Sequence, residues 1–99
     1  NEKVVPNPHR RCLFRRMMIR INKNGESEIW ANLNFEYGMG AKCLIMVSID
    51  SGKIWKKVIQ YDGRQFKVRM ISYSNHIAKE LYILFVNNKD NTSTTLEVS

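Results

Sequence analysis

Ninety-nine residues, 43% hydrophobic and 25% charged, bound one small domain with a single two-layer core. No run of eighteen apolar residues is present, which excludes a membrane-spanning helix, and the first residues lack an apolar signal core, so no signal peptide is expected there. The net charge of +7 is concentrated: residues 1–23 hold Lys3, Arg10, Arg11, Arg15, Arg16, Arg20 and Lys23 against Glu2 alone, whereas residues 24–99 are nearly balanced.

Taken in chain order, residues 1–11 contain both prolines and read as a basic extended leader, with residues 12–99 forming a single domain. Strand-like runs follow at 12–22, 28–35, 42–49, 54–60, 65–72, 80–86 and 94–98, rich in Ile, Val, Phe, Tyr and Trp. Turn chemistry separates them: NKNG at 22–25, EYGMG at 36–40, DSG at 50–52, YDGR at 61–64 and NNKDN at 87–91. Only residues 74–80 have room for a helical turn. Short strands at regular spacing predict an all-β fold, an antiparallel β-sandwich of about seven to eight strands, TRAF-like or immunoglobulin-like.

Period-2 alternation assigns faces. Ile29, Ala31, Leu33 and Phe35 share one side of their strand, which predicts the buried side, and Glu28, Trp30, Asn32 and Asn34 share the other. Trp30 is thereby expected on the polar face, flanked by amides, as a peptide anchor, a sugar platform or a rim residue under a loop. The run LYILFV at 81–86 is apolar on both faces and predicts a central strand covered on both sides.

The stretch SIDSGKIW at 48–55 fits the S-x-D-x-G-x-x-W pattern of the "Asp box" of sialidases. Each of its residues has a job in a turn: Asp50 can accept backbone N–H bonds, Gly52 can take the left-handed conformation, and Trp55 can fold back over the loop. A self-capped hairpin turn is the more economical reading, because one box in 99 residues cannot build a propeller.

No catalytic constellation assembles. His9 and His76 lie in the leader and a loop, acids are scattered, and no Gly-x-Ser-x-Gly elbow or phosphate-cradling glycine loop is present. Cys12 and Cys43 lack metal spacing, so no zinc site or cofactor is expected. Two buried thiols in a cytoplasmic or nuclear protein is the preferred reading of this pair, and a bridge between them is left open. One glycosylation sequon, Asn91-Thr92-Ser93, matters only in an exported chain. The chain reads as a binding module and not an enzyme.

Several motifs resemble the TRAF-like substrate-binding domain of the seven-in-absentia ubiquitin ligases. YDGRQF at 61–66 resembles that family's YDG-x-QQF hairpin, and Ala78…Tyr82-x-Leu84…Asn87, Ile21-Asn22…Gly25…Trp30 and Thr95-Leu96-Glu97 follow its order of elements. The resemblance implies an eight-stranded antiparallel sandwich that holds an extended peptide along a strand edge, as an adaptor for a ubiquitin ligase. It implies peptide-binding roles for Glu28, Ile29, Trp30 and Asn32, with Asn32 standing where the family has Met. Residues 55–58 (WKKV), QFKVRM and ELYILFVNN are similar to starch-binding modules of immunoglobulin-like fold. That likeness implies a carbohydrate platform of Trp55, Lys57 and Asn88. A third reading, a nucleic-acid-associated or viral domain, rests on the basic patch Arg10, Arg11, Arg15, Arg16 and Arg20, although only Phe14 lies near it for base stacking. A protein or peptide ligand is thus the expected partner, with a homodimer, a nucleic acid or a glycan as alternatives.

Overall fold

A computed structural model describes residues 4–5, 13–34, 42–73 and 79–98, with residues 4–5 and 13–15 described by their backbone alone. Eight strands lie within those residues: β1 (Val4–Val5), β2 (Leu13–Ile21), β3 (Ser27–Asn34), β4 (Cys43–Ser48), β5 (Trp55–Tyr61), β6 (Phe66–Ile71), β7 (Leu81–Asn87) and β8 (Ser93–Val98). They form two antiparallel sheets, one of five strands in the order β1-β5-β4-β3-β2 and one of three in the order β6-β7-β8. The fold is the expected all-β sandwich, and each of the seven predicted runs contains a strand. Val4–Val5 pairs with β5, so part of the basic leader belongs to the larger sheet. Among the described residues no helix is long and apolar enough to cross a membrane. Cys12, the EYGMG turn and residues 74–78 lie outside the described residues.

The facing surfaces of the sheets enclose the main core. The larger sheet supplies Trp30, Cys43, Ile45 and Tyr61, and the smaller one supplies Met70, Leu81 and Ile83. Phe85 binds the layers together with edge-to-face contacts to Tyr61 and Phe66, each with ring centroids 6.3 Å apart. A second cluster, Ala31, Leu33, Leu44, Met46 and Trp55, occupies the opposite face of the larger sheet. The inner strands β3 and β4 are therefore buried on both sides, and residues 30–34 of β3 are buried without a break despite the alternating sequence.

Alternation told the two faces of β3 apart but not which one met the other sheet. The side carrying Trp30 and Asn32 is the inter-sheet side. For LYILFV the strand is central, as expected, but its two faces differ. Leu81 and Ile83 are fully buried, while Tyr82 and Leu84 on the outward face are half-buried.

Two turns position the layers. In SIDSGKIW, Ser51 and Gly52 both adopt positive φ (63° and 89°). Asp50 Oδ1 accepts the backbone N–H groups of Lys53 (3.1 Å) and Ile54 (2.9 Å), and Ser48 Oγ accepts that of Gly52 (2.9 Å). The Trp55 indole donates to the Gly52 carbonyl at 2.9 Å. The Ile54 N–H first, then the Ser48 hydroxyl, which donates to Asp50 Oδ1 at 2.8 Å, and the Lys53 N–H hold the Asp50 carboxyl below the usual carboxylate range. YDGRQF is the corner where the chain leaves one sheet for the other, since β5 and β6 belong to different sheets and do not pair. Asp62 accepts the Arg64 N–H at 2.8 Å and pairs with its guanidinium, and Asn88 donates to the Arg64 and Gln65 carbonyls at 3.0 and 2.8 Å.

Candidate functional site: an open basic edge

The residues expected to bind peptide are structural in three cases of four. Trp30 is 5% exposed and donates its indole N–H to Glu28 at 2.9 Å, so it is a core side chain and not an open anchor. Glu28 also accepts Asn22 Nδ2 at 2.9 Å and forms a 3.0 Å ion pair with Arg20. Burial pushes the Glu28 carboxyl up, but the Trp30 and Asn22 hydrogen bonds and the Arg20 charge outweigh it, and the net shift is downward. Asn32 is 3% exposed and donates to the Val68 carbonyl across the layers at 3.2 Å. The strand that carries them is hydrogen-bonded to β2 on one side and β4 on the other, which leaves it no free edge for an added peptide. Ile29 differs: it lies half-buried on the outer face, opposite Ile19.

The carbohydrate platform is not assembled either. Trp55 is 1% exposed, with its ring over the turn. Asn88 anchors to the corner just after β5 and Trp55 begins β5, so the two are separated by a seven-residue strand, about 20 Å. Lys57 is half-exposed on β5 between them.

The basic patch divides. Arg20 is 4% exposed; its guanidinium pairs with Glu28 and donates to the Lys79 carbonyl at 3.1 Å, tying β2 to the segment that enters β7. It is a structural cation and leaves the patch, because a buried guanidinium persists only where it is paired. Arg16 is exposed on β2. Arg10, Arg11 and the Arg15 side chain lie outside the described residues.

What the structure does bring together is the edge of the larger sheet. Among the described residues, the nine-residue strand β2 pairs with β3 alone. Its outer face shows Met17 (48% exposed) and Ile19 (60%), in register with Ala31 and Ile29, while Arg16, in register with Asn32, is exposed on the opposite face of the strand. The sequence does not reveal this pair of aliphatics, because R-M-M-I-R holds three apolar residues in a row and its pattern leaves the two faces of the strand undistinguished. Among the described residues no group of three His, Cys, Asp or Glu side chains is placed to hold a metal ion. Comparison with protein-family models, with curated proteins and with solved structures finds no match to this chain.

Proposed function

We propose that the chain is a non-catalytic peptide-recognition module, TRAF-like in its mode of binding, that accepts an extended acidic and apolar segment as an added strand along β2. The observation that supports this reading is a nine-residue strand that, among the described residues, is paired on one side only, with Met17 and Ile19 exposed on one face and Arg16 on the other. Backbone groups on such an edge supply affinity through ladder hydrogen bonds, and alternate side chains supply selectivity. The occupant is fixed by charge. A second copy of the chain would bring its own Arg16 to the same edge, whereas an acidic strand meets complementary charge. Aliphatic Met17 and Ile19 offer no stacking surface for bases, which favours a peptide over single-stranded nucleic acid.

The test is titration of an alternating Glu/Ile octapeptide, its Lys/Ile counterpart and an N-methylated Glu/Ile version, followed by backbone NMR. The Glu/Ile peptide is expected to protect β2 amides and to bind more weakly as salt rises; Ile19→Lys and N-methylation should each abolish binding. Equal binding of the methylated peptide, or binding indifferent to Ile19→Lys, would sink the proposal. Binding of an oligonucleotide in place of the peptide would replace it with the nucleic-acid reading.

A further inference from the structure

The outward face of the smaller sheet carries a group of side chains that the β2 edge does not use. Tyr73 follows β6 and is 77% exposed, a large aromatic left in solvent. Its ring stands against that of Tyr82 on β7, with centroids 5.6 Å apart and planes inclined at 59°. The two rings make an open corner and not a stack. Glu97 on β8 is the direct cross-strand neighbour of Tyr82, and it is exposed. Glu80, two residues before Tyr82, borders a cavity of about 600 Å³ together with Glu97, Val98 and the end of β2.

Electrostatics single out this corner. The chain as a whole is strongly basic, yet the charge felt by the Tyr82 phenol is negative. Glu97 first, then desolvation, then Glu80 and Tyr73 push its pKa above the ordinary value. An aromatic face is itself the negative end of a quadrupole, so two inclined rings beside a carboxylate add their attraction for a positive group. The neighbouring cavity, which neither tyrosine lines, also carries Arg20, Lys23 and Lys79, and these cations set a ceiling on affinity at the corner.

The geometry points to a binding site for an organic cation, an alkylammonium or guanidinium group, held between the rings of Tyr73 and Tyr82 and neutralised by Glu97. The exposed Tyr73 ring, with Tyr82 inclined against it, supplies the aromatic surface, and Glu97 accepts a hydrogen bond where the cation has a proton to give. The site is separate from the β2 edge and does not depend on it.

Titration by NMR tests it, with the aromatic resonances of Tyr73 and Tyr82 as reporters and three probes: tetramethylammonium, methylguanidinium and the uncharged isostere 3,3-dimethylbutanol. At least one cation is expected to shift both rings saturably while the neutral probe does not. Preference for tetramethylammonium indicates a methylated ammonium as the natural ligand, and preference for methylguanidinium indicates an arginine side chain. Tyr73→Leu and Glu97→Gln, both at exposed positions, are each expected to weaken binding about fivefold or more. A response shared by the neutral isostere, a lack of saturation, or full affinity in both variants overturns the inference.

Discussion

Tyr61 on β5 donates its phenol hydrogen to the side-chain oxygen of Asn32 on β3, across the intervening strand β4, while Asn32 donates to the Val68 carbonyl of the opposite sheet. One buried amide thereby joins two strands of one layer to an edge strand of the other. Replacing Asn32 by Leu removes both interactions and is expected to destabilise the fold by about 2–4 kcal/mol. Tyr61→Phe removes one and should cost about 1–2 kcal/mol. Urea denaturation of the two single variants and the double variant measures the coupling; additive effects would show that the bond does not contribute.

The Glu28 network predicts acid sensitivity. Its carboxyl is held below its ordinary pKa in the folded chain. The stabilisation it gives is therefore fully present above the unfolded-state value and is lost as pH falls through the folded one. Thermal melts of the wild-type chain should lose stability on the acid side of the normal glutamate range. Asp50, Asp62 and Asp90 are shifted in the same direction, so the informative quantity is the difference from Glu28→Gln. That variant should start less stable at neutral pH and lose less on acidification, and parallel curves would contradict the assignment.

At the turn before β5, Trp55→Ala is expected to cost about 3–5 kcal/mol, since a fully buried indole leaves a cavity. Gly52→Ala should cost about 1 kcal/mol. The cause there is the φ of 89° and not crowding, because an added Cβ would lie 3.8 Å from the Trp55 ring, an ordinary contact. Because Trp30 and Trp55 are both buried, tryptophan emission should be blue-shifted and weakly quenched by iodide. Maltooligosaccharides should leave it unchanged. A saturable fluorescence response to those sugars would restore the carbohydrate reading.

The open edge and the core should respond oppositely to charge. Met17→Lys and Ile19→Lys alter exposed side chains and are expected to shift stability by no more than about 0.5 kcal/mol. Arg20→Ala leaves Glu28 buried without its cation and should cost roughly 3–5 kcal/mol. Guanidinium denaturation curves order these variants, and an Ile19→Lys chain as unstable as Arg20→Ala would mean that β2 is not an edge.

The strands were legible because β-branched and aromatic runs alternate with Gly, Asn and Asp turns. NKNG, DSG and NNKDN each closed the hairpin they announced. What the pattern could not convey was which side of β3 faces inward. Asn32 and Asn34 look like solvent residues yet are buried, and the burial of Asn32 is offset by partners remote in sequence. Val68 lies 36 positions from Asn32, and Tyr61 lies 29. Trp55 was rightly read as part of a turn, because its partner Gly52 is three residues away and visible locally. YDGRQF looked like one more hairpin, since a turn that reverses the chain within a sheet and one that carries it between sheets use the same residues.

Apart from β1 with β5, every strand pairing among the described residues joins neighbours in sequence. The chain can therefore zip β2 to β5 and β6 to β8 through short loops, at a low entropic cost for closing each one. Besides the pairing of β1 with β5, the docking of the two meanders requires distant segments to meet. They meet through Asn32 with Val68 and Arg20 with Lys79. Those contacts mark the late step of folding, so their loss should accelerate unfolding more than it slows refolding.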